Sequence, residues 1–419
     1  MFPLCFARMA RSLLSDFSIM HDSLLGKSIA SFPVGARSGP RLGIIGGGQL
    51  AKMIAQAAAQ FGCEITVLDR ETNGPASRVV DQVLVGNWDD PAMLLQLAQR
   101  VDVVTLENEF VDAAALRAIE SAGHRVFPTA RSIALTQDKL KQKEILVAAG
   151  LPVAEFRAIA SPGQIEVATR ELGLPLVLKK RRNGYDGKGN YTLRSSGDVP
   201  NGWRALGGVH NELLVEAFVP FCKELAVIVT RGRDHDSVVY PVVESMQQNH
   251  VCHAVIVPGE ISEEVAALAR DLALRAVSAV GGVGSFGVEM FLTTEGKIII
   301  NELAPRVHNT GHFTIEACAC SQFENHVRAV LGWPLGPTQL LAPAAAMVNL
   351  LGTTHASGHP FGVSEALAVP GAHLHLYGKA KSEVGRKMGH ITALGSNSGL
   401  ALATAQRAAE ALRFTSQLI

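Results

Sequence analysis

The stretch Gly287–His312, GVEMFLTTEGKIIINELAPRVHNTGH, constrains the fold most, because its turn decides which side chains face each other. Two apolar runs, Ser285–Thr293 and Lys297–Leu303, flank Thr294-Glu295-Gly296, a pattern that predicts a β-hairpin closed by a two-residue Glu-Gly loop. With Thr294 opposite Lys297, Glu289 falls opposite Glu302 on the same face, about 5 Å apart at Cβ, where like charges destabilise a sheet. A divalent cation reverses that sign, and oxygen ligands from one or two carboxylates suit Mg²⁺, which fills its other positions with water and substrate phosphates. A four-residue loop would keep the pair on one face as diagonal neighbours; a three-residue loop would separate them. A solvated hairpin with two surface glutamates is the competing reading. Against it, Asn301, Arg306, His308 and Asn309 crowd the exit of the second strand, where polar residues on an irregular loop more often bind than pack.

Composition narrows the partners. The chain has 419 residues, 47% hydrophobic and 18% charged, as in a globular protein of two or three domains with a large core. Its formal net charge is zero and it has no long basic or acidic block, so neither nucleic acid nor a membrane surface is an expected partner. No apolar run reaches the length of a membrane span. Cys5, Cys63, Cys222, Cys252, Cys318 and Cys320 form no CxxC pair and sit mostly in apolar segments, the pattern of reduced, buried thiols, and a cytoplasmic location is expected. Residues 1–40 read differently, with many serines, Arg8, Arg11 and Arg37, no clear periodicity, and Pro33, Gly35, Gly39 and Pro40 at the end. An organellar transit peptide fits the arginines and serines, but Asp16 and Asp22 count against it; an extension upstream of a start at Met20 is the other reading.

From Leu42 to Ile45 a buried strand is predicted, then a tight turn at Gly46-Gly47-Gly48, an alanine-rich amphipathic helix over Gln49–Phe61, and a second strand, Ile65–Leu68, ending in Asp69. This βαβ opening offers helix N-terminal amides to an anion and imitates a dinucleotide fingerprint, with a phosphate or ribose of another ligand favoured over a nicotinamide. Strands Val83–Val85, Val101–Leu106 and Arg125–Phe127 alternate with helices Pro91–Gln99 and Asp112–Ala122, giving a small parallel α/β domain over 41–137. Val101–Leu106 runs into Glu107 and Glu109, at a strand end where ligands of open sheets collect.

A second domain, 138–333, begins with helix Asp138–Ala149. Strand Leu174–Lys180 delivers Lys179 and Lys180 to the loop Asn183-Gly184-Tyr185-Asp186-Gly187-Lys188-Gly189-Asn190, whose glycines let backbone amides approach phosphates while the lysines supply charge; a plain hairpin turn is the competing reading. Strands over Leu213–Val219, Glu224–Val229 and Ser237–Val243, a long helix Ser262–Val280, the hairpin, and a helix Thr314–Leu331 complete it. Residues 334–419 form a β-rich piece with strands near Ala346–Leu350, His373–Tyr377 and His390–Ala393 and a helix Ala401–Leu412. Its loop holds Lys379, Lys381, Arg386 and Lys387, and a hairpin turning at Ser382–Gly385 would bring Lys379 and Arg386 to one site; a solvated loop is the alternative.

This order of parts resembles the ATP-grasp superfamily. More narrowly, GGGQLAKM, TLENEF, DKLKQKE, KKRRNGYDGKGN, INELAPRVHNTGH and YGKAKSEVGRKMGHIT, spread from Arg41 to the end of the chain in the family's order, are similar to the 5-(carboxyamino)imidazole ribonucleotide synthase family. The resemblance implies an α/β and α+β architecture: a Rossmann-like N-terminal parallel α/β domain, a central ATP-grasp domain with a lid, and a small C-terminal β-rich domain, with the active site where they meet. It implies a carbon–nitrogen ligase of purine biosynthesis that joins 5-aminoimidazole ribonucleotide and bicarbonate at the expense of ATP, through carboxyphosphate. Closure of the Gly184–Gly189 loop would keep water from that intermediate.

Carried over residue by residue, the resemblance puts ATP against Lys139, Lys179, Gly184, Tyr185, Asp186, Gly187, Lys188, Gly189, Asn190, Glu216, Ala217, Phe218, Val219 and Glu224, with Gln247, Asn301 and Glu302 completing the nucleotide site. Mg²⁺, with Mn²⁺ as the alternative, falls on Glu289 and Glu302, the pair that the hairpin yields independently. The ribonucleotide would lie against Gly48, Gln49, Leu50 and Glu109, its phosphate held by Arg306, His308, Asn309, Lys379 and Arg386. Tyr185 and Asp186 match the pair beside the carboxyl intermediate and join Arg306, Lys379 and Arg386 as catalytic candidates. One departure stands out: where the family commonly has Glu-Asn-x-His, this chain reads Glu244-Ser245-Met246-Gln247. A homodimer is expected, and the next pathway step is expected of a separate mutase. A formate-using glycinamide ribonucleotide transformylase is the nearest alternative; a nicotinamide dehydrogenase would leave the lysine loop and the carboxylate hairpin without a role.

Overall fold

In the computed structural model, which describes residues 39–184, 189–248 and 251–415, the apolar run Arg41–Ile45 (β1) pairs with Glu64–Asp69 (β2), which pairs with Gln82–Val85 (β3), while Val103–Leu106 (β4) flanks β1 on its other side. All these pairings are parallel. Leu42, Ile44, Ile45, Val67, Leu68, Val104 and Leu106 are buried, as near-continuous apolar strands must be when helices cover both faces of a parallel sheet. One cover is the helix Gln49–Ala59, which buries Leu50, Met53, Ile54 and Ala58. The strand expected over Arg125–Phe127 reduces to a single bridge, Val104 to Val126, since Pro128 has no N–H to extend a ladder.

Phe156–Ile159 (β5), Leu176–Lys180 (β6), Asn190–Leu193 (β7) and Leu213–Ala217 (β8) form an antiparallel sheet in the order β5-β8-β6-β7. Helices Pro162–Leu172 and Val199–Ala205 pack on it through Ile165, Ala168 and Val199. This sheet places Lys179 beside Glu216 and Asn301.

The largest sheet is built from Phe221–Arg231 (β9), Ser237–Val239 (β10), Val243–Gln248 (β11), Val251–Val257 (β12), Gly284–Thr293 (β13), Ile298–Ala304 (β14), Ala344–Leu351 (β15), then, past Ala356–Ser357 (β16), Ala372–Leu376 (β17), and, past Lys381–Ser382 (β18), Lys387–Gly395 (β19). Its order is β14-β13-β9-β11-β12-β15-β19-β17, with β10 against β9, and β16 pairs only with β18. Ala254–Val257 pair with Ala345–Val348, so the strands of the β-rich C-terminal piece continue the central sheet. Covering β12 in this way removes an edge that would otherwise present unpaired backbone groups. Helix Glu263–Ala279 buries Ala269, Leu272, Ala276 and Val277 against β9, β13 and β14. The single helix expected over Thr314–Leu331 is two, Thr314–Ala317 and Gln322–Leu331. Cys318 is extended, and Ser321 restarts the second helix by accepting a bond from Glu324 N–H.

Cys63, Cys252, Cys318 and Cys320 are buried thiols, whereas Cys222, at the start of β9, is exposed, contrary to expectation. Among the described residues no helix is long and apolar enough to cross a membrane. Residues 1–38 lie outside the described residues, and with them the reading of the N-terminal segment.

Candidate active site

Glu289 and Glu302 do face each other, but by a different route from the one expected. Thr293 N–H donates to Lys297 O (2.9 Å) and Gly296 N–H to Thr293 O (3.0 Å), so the loop has three residues, not two, with Gly296 in the left-handed region at φ +79°. The pairs next to it are Leu292 with Ile298, Phe291 with Ile299 and Met290 with Ile300, a register that would set Asn301 opposite Glu289 and turn Glu302 to the other face. A β-bulge at Asn301 adds the missing residue, and pairing resumes at Glu289 with Glu302. The two irregularities cancel. The bulge also offers Asn301 to two lysines: its carbonyl accepts from Lys143 Nζ (3.4 Å) and its side-chain oxygen from Lys179 Nζ (3.3 Å).

Those lysines come from a helix and a strand locked together. Asp138 caps helix Lys139–Ala148 by accepting from Leu140 N–H (3.1 Å), and Arg181, just past β6, grips the same carboxylate at 3.0 and 2.6 Å. Positions 139, 142 and 143 share one helix face. On that face the Lys139 ammonium pairs with Glu302. Gln142 bridges the N–H and C=O of Leu303 (2.8 and 2.9 Å), and the fully buried Lys143 reaches Glu216 (3.3 Å). Lys179 donates to the same Glu216 oxygen at 3.0 Å. Burial opposes the charge on Glu216, yet Lys179 and Lys143 outweigh it and hold the carboxyl below its usual range. Burial also pulls Lys143 down to about 8, with Glu216 offsetting part of the cost.

The facing carboxylates are electrostatically unequal. Burial, then Glu302 and Glu224, push Glu289 well above the usual carboxylate range. Burial pushes Glu302 the same way, but Lys139 and Lys179 overcome it and keep Glu302 ionised. His308 Nδ1 accepts from Thr310 N–H (3.4 Å), which leaves the hydrogen on Nε2, 3.4 Å from Glu289 Oε1. Burial, Arg306 and Lys387 hold His308 down to about 3, so it faces the glutamate as a neutral donor. Two oxygen-donor carboxylates, one of them burdened by uncompensated negative charge, fit a hard divalent cation. Two carboxylates would leave the other positions of such a cation to water and phosphate oxygens, the habit of Mg²⁺.

Glu224 lies on this same face of the sheet, since β9 sets Ala226 against Glu289 and Glu224 against Phe291. Gln247 bonds both Glu224 and Ser245 Oγ, the latter at 2.9 Å. Ala217 ends β8, and Phe218 and Val219 lead from it toward β9, with Phe218 exposed. Gly184 lines a cleft of about 200 Å³ together with Glu109, Gln137, Lys139, Arg182 and Glu302. Gly189 O accepts from Lys180 N–H (2.8 Å), and Asn190 pairs with Lys179. Tyr185, Asp186, Gly187 and Lys188 lie outside the described residues.

Several residues assigned to the ribonucleotide already have partners within the chain. Arg306 and Glu109, which are far apart in the chain, form a two-pronged ion pair. Asn309 and Asn349 exchange both amide hydrogen bonds (2.9 and 2.7 Å), so a phosphate contact by Asn309 requires that pair to open. Lys379 Nζ donates to Lys387 O (2.7 Å) and Arg386 Nη1 to Lys381 O (3.0 Å). The expected hairpin across Ser382–Gly385 does not form, because Lys381 and Ser382 pair with Ala356 and Ser357 instead. The glycine turn of the first domain is a further correction. Glu107 accepts from Gly48 N–H (3.0 Å) and Ala51 N–H (3.1 Å), so the chain supplies its own anion to that helix N-terminus. The Leu50 side chain is core, which leaves Gln49, half-buried, as the accessible side chain of the Gly48-Gln49-Leu50 trio.

Comparison with known proteins places this geometry. Family models match at residues 40–137, the ribonucleotide synthetase preATP-grasp domain; 144–323, the ATP-grasp domain; and 345–404, the phosphoribosylaminoimidazole carboxylase C-terminal domain. The chain is 44% identical to the N5-carboxyaminoimidazole ribonucleotide synthase of Synechococcus elongatus over 84% of its own length and 88% of that protein's. It belongs to the N5-carboxyaminoimidazole ribonucleotide synthase family. It is also 41% identical to the chloroplastic phosphoribosylaminoimidazole carboxylase of Vigna aconitifolia, covering 85% of this chain and 64% of that one. The crystal structure of the Aspergillus clavatus N5-carboxyaminoimidazole synthase in complex with ADP and 5-aminoimidazole ribonucleotide superposes with a TM-score of 0.83 at 35% identity, over 89% of this chain and 98% of that one.

Within this synthase family fold, three residues that sequence reading did not assign to the site are part of its framework: Gln142, Lys143 and Lys387. Lys387 sits close enough to Glu289, His308 and His312 to bias all three. For Gln142 and Lys143 a signal existed, since DKLKQKE puts polar side chains at i, i+3 and i+4 with Lys139, one face of a helix that would otherwise pack apolar residues.

Proposed function

We propose that the cleft between Glu109, Lys139, Gly184 and Glu302 performs the reaction of the chain's family, ATP-dependent carboxylation of 5-aminoimidazole ribonucleotide by bicarbonate in purine biosynthesis. The observation that carries this reading is the facing pair Glu289 and Glu302 with Lys139, Lys143 and Lys179 packed beside them. Bicarbonate is a poor electrophile, so one of its oxygens first attacks the terminal phosphorus of ATP, giving ADP and carboxyphosphate. Mg²⁺ on Glu289 and Glu302 would supply charge neutralisation for the phosphates. Lys179, pinned by Glu216 and Asn301, presents a fixed positive charge that needs no reorganisation as the phosphoryl group moves. Glu224 with Gln247, and the link Ala217–Val219, are assigned to the nucleotide by likeness. The amine then attacks the carboxyl carbon, or captures the carbon dioxide released from it, the C–N bond forms, and phosphate departs.

The ribonucleotide is assigned to the Arg306 side, where Gln49, Arg306, His308, Lys379 and Arg386 orient it rather than do chemistry. Arg306 is held ready by Glu109, and a phosphate would compete for the same guanidinium. Tyr185 and Asp186 are assigned beside the carboxyl intermediate on family likeness. A homodimer, a separate mutase, a division into 41–137, 138–333 and 334–419, and work in a reducing compartment complete the proposal. ADP release decides it: turnover is expected only with both 5-aminoimidazole ribonucleotide and bicarbonate, and formate-dependent release with a different ribonucleotide would replace it with the transformylase reading.

A further inference from the structure

Lys52 belongs to the GGGQLAKM motif, yet nothing in the proposed reaction uses it. It lies on the half-buried flank of helix Gln49–Ala59, and its ammonium crosses to the far end of the chain, donating to the carbonyls of Leu376 (2.8 Å) and Tyr377 (3.5 Å) at the end of β17. Burial and the neighbouring Arg78 both lower its proton affinity, so the charge is placed there at a cost. The next residue, Gly378, turns at φ +81°, a conformation that favours glycine, and a Cβ there would meet Arg78 Nη1 at 3.2 Å. Tyr377 is buried, with its hydroxyl on His390 Nδ1 at 3.0 Å. The strand end is thus held from both sides just before the chain delivers Lys379.

We propose that Lys52 is a positioning residue for the substrate-phosphate grip: by holding the Leu376 and Tyr377 carbonyls it fixes the Gly378 turn and, through it, the placement of Lys379. The inference rests on the reading that Lys379 serves the ribonucleotide phosphate. The full chain is assayed as Lys52→Met, Lys52→Arg, Lys379→Ala and the Lys52→Met/Lys379→Ala double variant. Lys52→Met should raise the KM for 5-aminoimidazole ribonucleotide roughly ten-fold and leave the KM for ATP and kcat within about two-fold. Lys52→Arg should recover most of the loss, and the double variant should be no worse than Lys379→Ala alone. Gly378→Ala, which removes no charge, should reproduce the same selective shift and serves if Lys52→Met does not fold. An unchanged ribonucleotide KM in Lys52→Met, equal losses for both substrates, or full additivity with Lys379→Ala would overturn the clamp. If Lys379→Ala itself leaves the ribonucleotide KM untouched, the assignment of Lys379 fails, separately from any effect of Lys52.

Discussion

Two glycine-rich turns follow strands in this chain, Gly46–Gly48 after β1 and Gly184–Gly189 after β6, and only one of them adjoins the cleft lysines. In the first, the glycines make room for the chain's own acids. A Cβ on Gly47 would fall 2.2 Å from Asp69 Oδ2 and one on Gly48 2.6 Å from Glu107 Oε1, and the Gly48 and Ala51 amides are already bonded to Glu107. Near the second, Lys139, Lys143 and Lys179 gather around Glu216 and Glu302. Glycines therefore show that backbone comes close to something, and the identity of that something is set by whether a carboxylate or a lysine arrives from elsewhere in the fold.

The largest effect should come from the charged side of that comparison. Glu302→Gln keeps the shape of the side chain and removes the anion, so turnover should fall by at least roughly 100-fold, a loss of several kcal/mol of metal-borne charge stabilisation at 1.36 kcal/mol per decade. Circular dichroism should show an intact fold, and activity equal to wild type at low Mg²⁺ would sink the paired-carboxylate reading.

How the pair arises also shows what a sequence can and cannot carry. Two apolar runs locate both strands and residue type locates both acids, but the loop is one residue longer than the Glu-Gly pattern predicts, and the bulge at Asn301 has no signature in composition. The assigned pairing of Glu289 with Glu302 is what the structure has, reached through two irregularities that offset each other. Lys139 and Lys179 could be singled out because they sit in short motifs on regular elements. The ribonucleotide side was less legible: Asn309 with Asn349, Arg306 with Glu109, and Lys381 with Ser357 are tertiary pairings between distant segments. The same limit applies to Glu107: its place at a strand end points to a ligand, and nothing local to TLENEF says that its carboxylate reaches back to the first helix.

The next largest effect tests the substrate side. Arg386→Ala should weaken the apparent affinity for 5-aminoimidazole ribonucleotide by about 1.5–3 kcal/mol, the worth of a charged hydrogen bond, while the KM for ATP stays put. Arg386→Lys should rescue only in part, because a point charge replaces a planar fork. Loss of ATP affinity instead would move this loop to the nucleotide, and no loss at all would return Arg386 to its bond with the Lys381 carbonyl.

Gly47→Ala probes the closed turn directly. Its Cβ must displace Asp69 or the backbone, so unfolding should become easier by roughly 1–3 kcal/mol, the usual cost of overpacking. Chemical denaturation reads this out, and the KM for ATP of the folded fraction should match wild type. A variant of normal stability that binds ATP poorly would make the first turn a nucleotide loop and erase the contrast between the two.

The smallest expected effect lies at the position where the chain departs from its family. Gln247 donates to Glu224, whose carboxyl burial raises above its usual range and whose hydrogen bond from Gln247 draws it partway back. Removing the donor with Gln247→Ala should cost a neutral hydrogen bond, about 0.5–1.5 kcal/mol or a few-fold in the KM for ATP. The pH dependence fixes the sign. On the proposed assignment the ionised Glu224 would accept a bond from the nucleotide, so affinity should be present above its pKa and be lost as pH falls through it; without Gln247 that pKa rises, and the loss should begin at higher pH. Gln247→His should restore both the affinity and the position of the acid limb, because a neutral imidazole N–H can take over the donor role. Profiles of KM for ATP against pH that superpose for wild type and Gln247→Ala would detach Glu224 from the nucleotide, and would leave Lys139 and Lys179 as the side chains that set the second turn apart from the first.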